Sequence, residues 1–105
     1  MRFLVTNDQA GKPSWWLYAS NGQMVAWAGE SFASMTNANR AATSFKLYAF
    51  SSRFEIYQDT GNHWRWRAWR SSDRVASSGE SFSSAASAST AAENVRLNAG
   101  SADGP

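Results

Sequence analysis

Hydrophobic and polar residues alternate in two short stretches, Phe3-Leu4-Val5 and Phe54-Glu55-Ile56-Tyr57-Gln58. Phe3 and Val5 match Phe54 and Ile56 as inward residues of half-buried strands. Glycine-containing turns, from Asp8 to Ser14 and from Asp59 to His63, return the chain into second strands, Trp15–Ala19 and Trp64–Trp69. Asn21-Gly22 is a strong type I′ turn signal before a third strand, Met24–Ala28; the weaker Ser71-Ser72-Asp73 precedes Arg74–Ser78. Beyond a Gly-Glu-Ser-Phe loop the apolar period lengthens to that of a helix. Met35, Ala38, Ala41, Ala42, Phe45 and Ala49 share one helical face, as do Ala85, Ala88, Ala91, Ala92, Val95 and Ala99. Ser34 and Ser84 are placed to cap these helices by accepting first-turn amide hydrogens, and the helices should end near Tyr48 and Asn98.

Each half thus reads as three strands and a helix, and the two halves repeat. Gly29-Glu30-Ser31-Phe32 recurs as Gly79-Glu80-Ser81-Phe82 at an offset of 50, with one extra residue of the first copy assigned to its opening turn. On that alignment Trp16 falls on Trp66. One unit of about 50 residues buries too little surface to be secure alone, so the copies should share a core. The expectation is a single pseudo-twofold domain over 1–99, with repeats 1–50 and 51–99 and a disordered tail over 100–105. Its class is α+β: two β-β-β-α repeats forming one antiparallel sheet, with two helices on one face.

Composition explains how such a core could close. Among the hydrophobic residues 18 are Ala and 15 are aromatic, against nine Ile, Leu and Val. Helices faced with methyl groups can approach closely a sheet whose inward residues, Phe3, Trp16, Phe54 and Trp66, supply the volume. With no Cys and only His63, thiol chemistry and a zinc site are excluded, and no cofactor is called for. No apolar run approaches the roughly 18–20 residues that span a bilayer, and the first strand begins at Phe3. The chain is therefore expected to be cytoplasmic, without a membrane partner. The net charge of +2 is small, but all the excess lies within 53–74, where five arginines face three carboxylates.

Phe54-Glu55-Ile56-Tyr57, Trp64-Arg65-Trp66-Arg67, Gly79-Glu80-Ser81-Phe82 with Ser84, and Val95-Arg96-Leu97-Asn98-Ala99 together resemble the YegP-like family of tandem-repeat proteins of unknown function. The first copy matches less well, having Trp15-Trp16-Leu17-Tyr18 in place of the aromatic-arginine alternation. The resemblance implies tandem β-β-β-α units in one sheet, with exchange of the segments that follow the helices. The residues after Ala99 lack strand character, a departure from that exchange. It implies no biochemical activity.

With helices on one face, strand parity decides the chemistry of the other. Placing Trp16 and Trp66 inward turns Trp15, Leu17, Arg65, Arg67 and Trp69 outward, with Arg70 and Arg74 at the adjoining turn. Two functions fit such a face. One is a non-catalytic interaction module that meets a protein partner or a second copy. The alternative is a binder of nucleotides or single-stranded nucleic acid, stacking bases on Trp15 and Trp69 and neutralising phosphate with the arginines. Arginines that merely lie over outward rings and keep the face soluble are the plainer reading of the same residues. An enzyme is not expected. Glu30 and Glu80 are better explained by helix starts than as an acid/base pair, and His63 is most simply a turn residue.

Overall fold

The computed structural model describes residues 1–105. Its strands are β1 (Arg2–Asn7), β2 (Pro13–Tyr18), β3 (Met24–Trp27), β4 (Arg53–Gln58), β5 (Trp64–Arg70) and β6 (Asp73–Ser77). The helices are α1 (Met35–Tyr48) and α2 (Ala85–Asn98), each running into a 3₁₀ turn, Ala49–Ser51 and Ala99–Ser101. All strands form one six-stranded sheet in the order β1-β2-β3-β6-β5-β4, with antiparallel neighbours. The fold is therefore α+β, built from two β-β-β-α halves joined at the β3/β6 seam.

Both helices form where the sequence places them. The Ser34 and Ser84 hydroxyls accept the amide hydrogens of Asn37 and Ser87, each at 3.1 Å. Ala38, Ala42, Phe45 and Ala49 are buried along α1 and its 3₁₀ turn, and Ala88, Ala92, Val95 and Ala99 along α2. Met35, expected on that stripe, is 42% exposed because it opens the first turn. The small helix face lets the rings fill the interior: Trp15 stacks on Phe45 at 5.2 Å between centroids and meets Phe3 edge-on at 5.6 Å.

That stack corrects the parity of the first half. In β5, Trp66 and Ala68 are buried and their neighbours partly exposed, as expected. In β2 the inward residues are Trp15 and Leu17, both wholly buried, whereas Trp16 and Tyr18 turn outward. Pairing shows why: Val5 faces Trp15 as Ile56 faces Trp66, and Phe3 faces Leu17 as Phe54 faces Ala68. Trp15, not Trp16, is the counterpart of Trp66. The opening turns have equal length, each built on an aspartate: Asp8 Oδ1 accepts from the amides of Ala10 and Lys12, and Asp59 Oδ1 from those of Gly61 and His63. The extra residue lies instead between β2 and β3. There Asn21-Gly22 sits inside a wider loop closed from Ala19 to Gln23, while Ser71-Ser72 alone joins Arg70 to paired Asp73. A shift of one residue moves every side chain of a strand to the opposite face.

The tail is also corrected. Residues 100–105 are built into the fold rather than disordered: Ala102 is buried, Asp103 bridges to Arg2, and its carbonyl accepts the Phe3 amide at 2.9 Å. Lys46 Nζ donates to the Gly104 carbonyl at 2.7 Å. The 3₁₀ turn after α2 packs against α1, and the turn after α1 packs against α2. The post-helix segments are therefore exchanged between halves, by tertiary contact and one bridge rather than by a strand.

Candidate functional site

The face without helices is a cross-strand array of rings and charges. One row runs from edge to edge through paired residues: Leu4, Trp16, Trp27, Ser77, Arg67 and Glu55. Tyr18 and Trp69 flank it in the two halves, Tyr18 beneath the Arg2 guanidinium at 5.0 Å and Trp69 beneath Arg53 at 5.7 Å.

Its arginines are largely occupied. Arg67 Nε donates to Glu55 Oε1, which also accepts from Trp69 Nε1 at 3.1 Å, and the Arg67 guanidinium lies 4.3 Å from the Tyr57 ring centroid. Arg65 Nε donates to Asp59 Oδ2 at 2.7 Å. These donors stabilise the ionised carboxylates. Arg67, then Trp69, holds Glu55 below the ordinary carboxylate range, and Arg65, then the His63 amide, does the same for Asp59.

The seven residues expected to bind thus divide three ways. Arg65, Arg67 and Trp69 share the open face. Trp15 and Leu17 do not; their places are taken by Trp16, Tyr18 and Trp27. Arg70 and Arg74 leave the array altogether and line a cleft of about 140 Å³ between α1 and the start of β6, with Glu30, Phe32, Ala41, Ser44, Phe45, Tyr48, Ser52 and Val75. The Arg70 guanidinium lies over Tyr48, 3.6 Å from the ring centroid, and Arg74 Nη2 donates to the Gly29 carbonyl at 2.8 Å. Of the repeated glutamates, Glu80 accepts Gln23 Nε2 on both oxygens at 3.2 Å, and Glu30 stands at this cleft. His63 is a turn residue whose amide serves Asp59. The sequence carried a signal for Trp16 and Trp27, since the open face needs rings from both halves, but the misassigned loop residue hid it.

Comparison with known proteins agrees with this architecture. Residues 8–52 match the model of a family described as a domain of unknown function, DUF1508. That match covers less than half of the chain. The match falls on the first half, where the sequence resemblance was weaker. No curated protein matches the chain. The solution structure of YegP from E. coli, a protein of unknown function, superposes with a TM-score of 0.81 at 19% identity, covering 97% of this chain and 88% of that one. A UPF0339 protein from Shewanella oneidensis gives 0.78 at 14% identity, over 94% and 84%. At these identities the likeness concerns the fold. No helix is long and apolar enough to cross a membrane.

Proposed function

We propose that the protein is a non-catalytic interaction module that pairs with a second copy of itself through the uncovered sheet face. The supporting observation is the split chemistry of the cross-strand row. The β1–β3 half presents Leu4, Trp16, Tyr18 and Trp27, whereas the β4–β6 half presents Arg67, Arg65 and Glu55 around Trp69 and Tyr57. A twofold axis through the seam lays the aromatic half of one copy on the arginine half of the other, so the contact is self-complementary. Trp, Tyr and Arg are also the residues that dominate interface energetics. Pairing of Arg65 and Arg67 with carboxylates weighs against nucleic-acid binding, which needs guanidinium charge free for phosphate.

Sedimentation equilibrium tests this reading. The expected mass is near twice 11.5 kDa, returning to a single chain in Trp16→Ser and in Arg67→Gln. A monomer throughout the accessible concentration range overturns it. Salt-sensitive quenching of Trp fluorescence by a single-stranded oligonucleotide would replace it with the nucleic-acid reading.

A further inference from the structure

The cleft between α1 and β6 has no part in that sheet-face contact, and its chemistry differs. Its wall is apolar and aromatic, from Phe32, Ala41, Phe45, Tyr48 and Val75, and its charged groups are Arg70, Arg74 and Glu30. The three ion pairs of the molecule are Arg65–Asp59, Arg67–Glu55 and Arg96–Glu93. Neither cleft arginine has a carboxylate partner. Arg70 is held only by its contact over the Tyr48 ring, which leaves its hydrogen-bond donors unused. Arg74 spends one donor on the Gly29 carbonyl and keeps the rest.

We propose that this cleft is a binding site for a small carboxylate with a ring-sized apolar body. A cavity of about 150 Å³ with apolar walls accommodates benzene, so the 140 Å³ here matches the body of such a ligand. The guanidinium fork matches a carboxylate in shape and charge, and its cost of ordering is reduced where contact with a ring has already positioned it. Two arginines against the single Glu30 leave the site net positive, which selects an anion. The two halves differ at this point. Register matches Arg74 to Met24, and the corresponding residue to Arg70 is Ala19, so this pair of arginines occurs beside α1 only. The proposal stands whether or not the sheet face pairs with a second copy.

The test is titration of the ¹⁵N-labelled protein with benzoate and with its neutral isostere benzamide, followed by amide and arginine Nε resonances. Benzoate is expected to give saturable shifts confined to Phe32, Tyr48, Arg70, Arg74 and Val75, with benzamide at least tenfold weaker. In the Arg70→Gln/Arg74→Gln double variant benzoate affinity should fall at least tenfold, to that of benzamide. Ala41→Leu, which fills the wall and keeps both arginines, should abolish binding of either probe. Three results would overturn the proposal: absence of saturable shifts with benzoate, equal affinity for the two probes, or shifts centred on the open sheet face. The comparison of probes on the unaltered chain remains decisive if a variant fails to fold.

Discussion

At the scale of single residues, the two inward indoles carry an unpaid polar group. Trp15 Nε1 and Trp66 Nε1 are buried without hydrogen-bond partners, at matching positions in the two halves. An unsatisfied buried donor costs about 1–3 kcal/mol, so these tryptophans are retained for volume against the alanine faces, not for polarity. Trp66→Ala should therefore destabilise by about 3–5 kcal/mol, as aromatic truncation in cores does. Trp66→Phe should cost much less, since it removes the orphaned N–H along with part of the ring. Urea denaturation of both variants checks this, and equal losses would show that the N–H has a partner.

At the scale of elements, the β4/β5 ladder couples stability to acid. Glu55 and Asp59 have folded-state pKa values lowered by Arg67 and Arg65. A depressed carboxylate contributes stability that is fully present above its unfolded pKa, about 4, and is lost as pH falls through the lower folded value. Stability should thus decline from about pH 4 downward. Arg67→Gln should weaken the protein at neutral pH, flatten this decline, and converge with the unaltered chain once Glu55 is protonated. Denaturant midpoints measured across that range test the sign; a steeper acid decline in the variant would contradict it. The six strands and two helices were legible because helical and strand periods, the Ser caps and the glycine turns are local features, whereas the 3₁₀ turns and the docked tail were not. Nor was the parity of β2. Trp15 and Trp16 are equally suited to burial, and only pairing with Phe3 and Val5 distinguishes them.

For the whole molecule, neither half closes its own core. The halves meet along β3/β6, where register is fixed by one residue pair, Trp27 and Ser77, and through the 3₁₀ turns exchanged between helices. Residues 1–52 expressed alone should show no cooperative thermal transition by circular dichroism, and mixing with residues 53–105 should restore one. A cooperative transition in the isolated fragment would mean that the exchanged contacts are dispensable. The same joining makes the cleft, because α1 belongs to the first half and Arg70 and Arg74 to the second.

The sequence by itself determined the two β-β-β-α halves, the caps, the alanine stripes and the need for rings to fill what alanine leaves, since each follows from spacing over a few residues. Tertiary structure alone decided which tryptophan of an adjacent pair enters the core, how the last residues dock on β1, and that Arg70 and Arg74 part from Arg65 and Arg67. Those outcomes rest on cross-strand pairing and on contacts between halves, where one loop residue exchanges the two faces of a strand.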